Sequence, residues 1–138
     1  MIKIQQKNFN VEEEISSIKK FHSNVGAVTT FIGYVRDNNN NTNVESINLE
    51  VYEKMAYKQF NKIIAEANLK WSLIDTLIIH RYGKLQVNDK IVLVASFASH
   101  RKDSFDACNF IMDYLKKDAP FWKNEFYDKK NEWLTNIS

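Results

Sequence analysis

The sequence predicts an α+β domain with an antiparallel-rich sheet and packed helices. Segments rich in β-branched and aromatic residues alternate with segments whose apolar residues recur at helical spacing. Polar connections between consecutive strand segments favour hairpins over strand–helix–strand crossovers. A chain of 138 residues can bury roughly two thirds of its extended-chain surface, which allows a substantial core. We therefore expect one domain over residues 1–138, with residues 126–138 as a C-terminal extension.

The first half of the predicted order, αββαββα, begins after a weakly alternating edge strand at residues 1–6. Asn10 is predicted to cap the first helix, because its side chain can accept a hydrogen bond from a free amide of the first turn. We expect this helix to end near residues 23–24. Residues 25–36, VGAVTTFIGYVR, lack the spacing of a one-faced helix. They are predicted to form a long strand that ends at Arg36.

An asparagine-rich connection at residues 37–42 leads to the next elements. Residues 44–52 are predicted to form a strand that pairs with the first long strand as a hairpin with a long tip. Residues 54–70 show one apolar face and are predicted to form the second helix. Residues 74–82 and 91–98 are interpreted as strands. The nearly continuous apolar sequence of residues 91–98 predicts a central strand.

The third helix is predicted over residues 102–117, and it is expected to end before Pro120 because the residue preceding a proline is disfavoured in helical geometry. Its inward residues are predicted to be Phe105, Cys108, Ile111, Met112 and Leu115. The chain from residue 121 onward is rich in aromatic residues. It is expected to dock against the body of the domain or against a partner.

Composition limits the possible functions. Nineteen basic and 17 acidic residues give a formal charge of +2, so any anion site must be local. The single cysteine, Cys108, excludes an internal disulfide and is predicted to be a core residue. The three histidines lack zinc-like spacing, and we assign no metal. Neither a signal-peptide segment nor an apolar run of ~20 residues is present, so we expect a cytoplasmic protein that binds no membrane.

Cations gather at both ends of the third helix. His100 and Arg101 precede its first turn, where free amides and the helix dipole favour an anion. Alternatively, His100 is an ordinary satisfied histidine and Arg101 pairs with Asp103 or a glutamate. By position alone, Lys116 and Lys117 complement the C-terminal end of the helix.

Lys123 lies beyond the corner set by the only proline, directly after two large apolar residues. A neighbouring apolar wall could lower the pKa of this lysine and suit it to acid–base or nucleophilic work. An exposed lysine in an extended tail is equally compatible with the sequence.

Several separate motifs, in a fixed order over residues 26–125, resemble the large, catalytic subunits of molybdopterin synthase, the MoaE family. The motifs are GAVTTFIGYVR (26–36), LEVYEKMA (49–56), Glu66-Ala67, HRYGKL (80–85), SHRKDSFDAC (99–108) and DYLKKDAPFWKNE (113–125). The resemblance implies an α/β-hammerhead type of α+β fold and a homodimer. It also implies a small ubiquitin-like sulfur-carrier subunit at each end, which completes a heterotetramer, and no metal or redox cofactor.

The resemblance further implies a sulfurtransferase reaction. Sulfur passes from the thiocarboxylate at the C-terminal Gly-Gly of the small subunit to cyclic pyranopterin monophosphate, which becomes the dithiolene of molybdopterin. The match assigns catalysis to Lys116, beside the thiocarboxylate, and to Lys123, in substrate or proton transfer. The residues expected to bind substrate in one pocket are Tyr34, Val35, Arg36, His100, Arg101, Lys116, Lys123, Asn124 and Glu125.

Two departures from the family pattern and one alternative function accompany this match. The connection after Arg36 is asparagine-rich where the family often has a glycine, and the sequence beyond Glu125 matches poorly apart from Trp133.

The alternative function is that of a non-enzymatic module that binds a nucleotide or RNA through the same basic patch, with aromatic side chains stacking on bases. The nearly balanced charge weighs against it.

Overall fold

The computed structural model describes residues 1–39, 42–43, 46–118, 120–126 and 131–134. The strands are β1 (Ile2–Gln5), β2 (Ala27–Tyr34), β3 (Asn38–Asn39), β4 (Thr42–Asn43), β5 (Ser46–Val51), β6 (Leu73–Arg81), β7 (Gly83–Gln86), β8 (Lys90–Ala98), β9 (Phe121–Phe126) and β10 (Asn131–Leu134). The helices are α1 (Val11–Lys19), α2 (Glu53–Lys70) and α3 (Arg101–Asp118). The predicted α+β class is confirmed.

The first sheet has the strand order β1-β6-β8-β2. Strand β8 pairs antiparallel with β6 on one side and with β2 on the other. Its residues are buried from Ile91 to Ala98. Both the central position of β8 and the edge position of β1 are therefore as predicted, and β1 adds to β6 in parallel.

The second sheet has the strand order β10-β9-β5-β7, with antiparallel pairing throughout. Its composition corrects the predicted hairpin between residues 25–36 and 44–52. Strand β2 lies in the first sheet, whereas β5 pairs with β7 and β9 in the second. The prediction assumed that consecutive strands pair, but the short β3–β4 ladder between them leads the chain from one sheet to the other.

Strands β7, β9 and β10 were not predicted. The four residues of β7 begin at Gly83, which has φ +87°, and a single buried residue, Leu85, leaves little alternation to recognise. Strand β9 has the sequence FWKNEF, whose polar half is not typical of a strand. Its pairing with β5 shows that residues 121–126 dock against the body of the domain.

The helices cover both faces of the first sheet. Helices α2 and α3 pack on one face through buried residues that include Phe60, Ile63 and Ile111, and α1 covers the other face through Ile18. The side chain of Asn10 caps α1 by accepting a hydrogen bond from the Glu13 amide at 3.0 Å, as predicted. Helix α1 ends at Lys19, earlier than expected.

Four of the five residues predicted to face inward from α3 are buried or half-buried, and the fifth is not. Phe105 is 60% exposed, because the buried stripe of the helix runs through Ser104, Ala107 and Cys108 instead. None of the helices in the described part of the chain is long and apolar enough to cross a membrane.

Candidate active site

A cavity of about 460 Å³ lies between strand β2 and helix α3. Its lining residues are Thr29, Thr30, Phe31, Gly33, Tyr34, His80, Ile91, Val92, Phe105, Cys108, Asn109, Met112, Asp113, Leu115 and Lys116. Gly33 is closely packed within this lining, since a Cβ atom there would lie 2.9 Å from Cγ1 of Val92. A larger residue at this position would have to displace the Val92 side chain.

The cavity distinguishes the two lysines at the end of α3. Lys116 lines it, whereas Lys117 does not. Lys116 follows Met112 and Cys108 at intervals of four residues, so these side chains share one face of the helix. Both lysines are exposed. A flexible ammonium group at the cavity wall is well placed to meet an anion that enters from solvent.

Arg36 follows the end of β2, two residues beyond the cavity residue Tyr34. Tyr34 lines the cavity and is 51% exposed. The next residue, Val35, lies in the core at 4% exposure instead of on the cavity wall. Its amide donates to the Asp89 carbonyl, and its carbonyl accepts from the Asn88 amide, both at 2.9 Å. This fixed segment leads directly to the exposed Arg36.

His80 is the buried polar residue of the cavity, with 3% of its surface exposed. Its Nδ1 lies 2.9 Å from the Arg81 carbonyl, and its ring stacks on Phe121 with 3.6 Å between ring centroids. Burial lowers the pKa of His80 to about 4, against a smaller opposing effect of the Arg81 hydrogen bond. His80 is therefore uncharged at neutral pH.

His100 and Arg101 lie at the opposite end of α3 from Lys116. At 1.5 Å per residue, the fifteen-residue interval between Arg101 and Lys116 spans about 22 Å. Both His100 and Arg101 are exposed. Asp103 accepts a hydrogen bond from the Ser72 amide at 3.2 Å, and among the described side chains no ion pair involves Arg101. One chain therefore brings Arg36 and Lys116 to one end of α3 and His100 and Arg101 to the other.

Buried hydroxyl groups fasten the first turn of α3 to the sheet. Ser104 Oγ donates to the Ser96 carbonyl at 2.9 Å, and Ser96 Oγ donates to the Ser104 carbonyl at 2.5 Å. Because the Ser104 proton is thus committed, Thr29 Oγ1 is the donor in the 2.6 Å contact between the Thr29 and Ser104 hydroxyls. These hydrogen bonds attach to the sheet the first turn of α3, which His100 and Arg101 begin.

Lys123, Asn124 and Glu125 belong to β9, and their side chains lie outside the described side chains. Their backbones pair with β5, where Lys123 faces Leu49. Strand β9 begins at Phe121, which stacks on His80. The backbone therefore enters β9 beside the inner end of the cavity.

The sequence interpretation missed several cavity residues. Phe31 and Met112 provide apolar wall, and Asp113 places a carboxylate near Lys116 on the same helix. The recurring interval of three or four residues from Phe105 to Lys116 was the available signal, but it was interpreted as a core face. Cys108 is buried as predicted, and burial raises its pKa to about 11.

Both the sequence and the fold of this chain match those of known proteins. The family described as "MoaE protein" matches residues 4–118. A protein of Ralstonia nicotianae named molybdopterin synthase catalytic subunit is 44% identical over 133 residues, which cover 96% of this chain and 76% of the relative.

Two solved structures share the fold closely. A molybdopterin biosynthesis MoaE protein from Burkholderia ambifaria aligns with a TM-score of 0.87 and 41% identity, covering 100% of this chain and 90% of the other. A crystal structure of molybdopterin synthase from Staphylococcus aureus aligns with a TM-score of 0.86 and 32% identity, covering 96% and 95%.

Proposed function

This chain belongs to the MoaE family, and we propose that it is the catalytic subunit of a molybdopterin synthase. The observation that carries the proposal is the 44% identity, over 96% of the chain, to a relative with that name. The reaction transfers sulfur from the thiocarboxylated C-terminus of a small carrier subunit to cyclic pyranopterin monophosphate. We place this activity in the cytoplasm and in one domain, residues 1–138, with residues 126–138 as an extension.

The cavity between β2 and α3 has the character that this substrate requires. A pyranopterin is flat and carries a cyclic phosphate, so it needs an apolar slot with cations at its opening. Ile91, Val92 and Met112 contribute apolar surface, and Lys116 contributes the cation. The adjacent Arg36 can hold phosphate through two parallel hydrogen bonds.

We assign Lys116 to the thiocarboxylate and Lys123 to the substrate or to proton transfer. When water hydrolyses the thioester that forms between carrier and pterin, negative charge builds on the carbonyl oxygen and then on the sulfur as the carbon–sulfur bond breaks, leaving a carboxylate on the carrier and the sulfur on the pterin. A fixed cation beside these atoms stabilises that charge. Asn124 and Glu125 follow Lys123 on β9, and with Tyr34 they complete the substrate-binding residues that we propose.

A homodimer accounts for the separation of the cations along α3. Strand β2 is an edge strand of the first sheet, and Phe105 on α3 is exposed. A two-fold axis that sets two α3 helices antiparallel places the His100–Arg101 end of one helix beside the Lys116 end of the other. Each of the two sites then contains all of the predicted cations, and each dimer binds two small subunits.

Reconstitution tests the proposed reaction. Purified protein, thiocarboxylated small subunit and cyclic pyranopterin monophosphate are expected to yield molybdopterin, detected as its oxidised fluorescent derivative. A small subunit with an ordinary carboxylate terminus is the matched control and is expected to give none. Absence of product from the complete mixture would refute the proposal.

Mixing of two variants tests the shared site. Lys116→Ala and Arg101→Ala are each expected to be nearly inactive alone. When the two are unfolded and refolded together, a mixed dimer has one site with both changes and one site with neither. Random association makes half of the dimers mixed, so we expect roughly a quarter of wild-type activity. No recovery, with dimers demonstrated, would place all of the cations of a site in one chain.

The RNA-binding alternative is not favoured by the relatives. It predicts an affinity for RNA that falls steeply as salt rises. We expect no measurable RNA binding at low salt, because the formal charge of the chain is only +2.

A further inference from the structure

We propose that His80 is a specificity residue whose Nε2 atom accepts a hydrogen bond from the N–H edge of a flat nitrogen heterocycle on the cavity floor. The inference rests on the proposed function, because the heterocycle is taken to be the pyranopterin. His80 would be a neutral binding group in a site whose other proposed groups are mainly cations.

The surroundings of His80 determine which ring nitrogen carries the proton. Nδ1 lies 2.9 Å from the Arg81 carbonyl oxygen, which can only accept. Nδ1 is therefore the donor, and Nε2 holds a free lone pair. Arg81 is itself held in place, since its guanidinium donates to the carbonyls of Gln6 and Lys90, each at 3.0 Å. No hydrogen bond joins Nε2 to any described group.

Burial keeps the imidazole in its neutral form. Desolvation lowers the pKa of His80 to about 4, so the ring carries no charge at neutral pH. A protonated histidine would present a second donor at Nε2, whereas the neutral ring presents an acceptor. Stacking against Phe121 also fixes the plane of the ring. The cavity therefore contains a rigid acceptor whose direction does not change with pH near neutrality.

A row of three residues leads from the outer edge of the sheet to His80. Gly33 on β2 faces Val92 on β8, and Val92 faces His80 on β6. Directly opposed residues point to the same face of a sheet, and all three line the cavity. With strands ~4.8 Å apart, the row is about 10 Å long. A fused two- or three-ring heterocycle has a comparable length.

The two ends of this row differ in chemistry. Beyond the outer end, Tyr34 follows Gly33 at the exposed edge of the cavity, whose lining also includes the cation of Lys116, and the inner end is the uncharged His80. A ligand with a phosphate at one edge and N–H donors at the other fits only in one direction. We therefore infer that the pyrimidine edge of the pterin, with its amino and ring N–H groups, points to His80.

Two substitutions separate hydrogen bonding from packing. His80→Phe keeps an aromatic ring against Phe121 and removes the acceptor. His80→Gln can return an acceptor to the position of Nε2. In the reconstituted synthase, we expect His80→Phe to raise KM for the pyranopterin about tenfold, with kcat much less affected, because one N–H donor loses its partner. We expect His80→Gln to recover most of that loss.

Thermal unfolding of each variant shows whether the fold is retained. Wild-type KM in a folded His80→Phe variant would overturn the proposal. A rise in KM that His80→Gln shares in full would also overturn it, because packing would then explain the effect.

A measurement on the wild-type protein avoids any variant that fails to fold. Nitrogen-labelled histidine in the full chain with its small subunit reports on Nε2 by NMR. We expect the unprotonated Nε2 resonance of His80 to move when cyclic pyranopterin monophosphate or unphosphorylated pterin is added, but not with inorganic phosphate. A resonance unaffected by both pterins, or moved equally by phosphate, would contradict the proposal.

The outcomes separate the inference from the function on which it rests. If wild-type protein makes molybdopterin but the His80 tests are negative, only the inference fails. If wild-type protein makes no product, the proposed function fails, and the NMR titration with pterin still decides whether His80 accepts a hydrogen bond from that ring.

Discussion

The two ends of helix α3 present cations in different ways. At the C-terminal end, the helix and strand β2 enclose a cavity above Gly33, and Lys116 lies on its wall. At the N-terminal end, the hydroxyl of Ser104 lies 2.6 Å from that of Thr29, and Arg101 projects into solvent. The first end therefore has a cavity that can hold a ligand, whereas the second end has exposed cations on a fixed segment, which is the arrangement that the proposed homodimer requires.

The largest expected effect is a loss of activity on substitution of Lys116, at the C-terminal end of α3. Lys116→Ala is expected to lower kcat of the reconstituted synthase by a factor on the order of a thousand, because it removes a charge that stabilises the transferring group. Its matched control is Lys117→Ala, which removes an equally exposed lysine that does not line the cavity. We expect this control to remain within roughly twofold of wild type.

Circular dichroism is expected to show that both lysine variants fold normally. Full activity of Lys116→Ala would contradict the assignment, and equal losses in the two variants would remove the distinction that the cavity makes between them.

The second effect is a pH dependence of stability that arises from His80 in the cavity. The unfolded histidine binds a proton below about pH 6.5 and the folded one only below about pH 4. Between these values the unfolded state binds more protons, so the stability of the fold is full above pH 6.5 and falls as the pH approaches 4. Between pH 6.5 and pH 4, His80 is expected to lower the free energy of unfolding by about 3 kcal/mol.

Urea unfolding at a series of pH values measures this loss. The His80→Phe variant is expected to lose less stability than wild type over the interval from pH 6.5 to 4. The control is His100→Gln, which changes the exposed histidine at the other end of α3. Identical pH profiles for wild type and His80→Phe would show that His80 is not buried in its neutral form.

The smallest expected effect concerns the hydrogen bonds that attach the N-terminal end of α3 to the sheet. Ser104→Ala leaves the Thr29 hydroxyl and the Ser96 carbonyl without their buried partner. We expect the free energy of unfolding to fall by about 1–3 kcal/mol. The exposed Ser17→Ala is the control, because the Ser17 hydroxyl contacts only the Glu14 carbonyl of its own helix among the described residues. Equal stability of the two variants would mean that these hydroxyls do not fasten α3.

Local signals in the sequence were sufficient for much of the fold. Helix α2, of eighteen residues, was predicted to within one residue of its observed start at Glu53, because its buried apolar face repeats from Ala56 to Ala67. The central strand β8 followed from its continuous apolar sequence. The partners of β2 and β5 could not be predicted in this way, because strand pairing between distant segments is decided by tertiary packing.

The site was only partly predictable for a related physical reason. The resemblance to the MoaE family indicated Lys116 and Arg36, which the fold brings to the same end of α3. The match assigned Arg101 and Lys116 to one pocket, although the predicted third helix already placed them at opposite ends, about 22 Å apart. Phe105 was assigned to the core for lack of any local sign that a cavity adjoins it.

The buried thiol of Cys108 has a consequence for side reactions. It lies on the wall of the cavity, and burial raises its pKa to about 11. At pH 7 only about one such thiol in ten thousand is ionised, and the thiolate is the form that attacks sulfur or acyl groups. An activated thiocarboxylate arriving in the cavity therefore meets almost no competing nucleophile from Cys108. The packing that contributes to the core also protects the carrier from being trapped as a thioester of Cys108, which would form if the thiolate attacked the acyl carbon and displaced hydrosulfide.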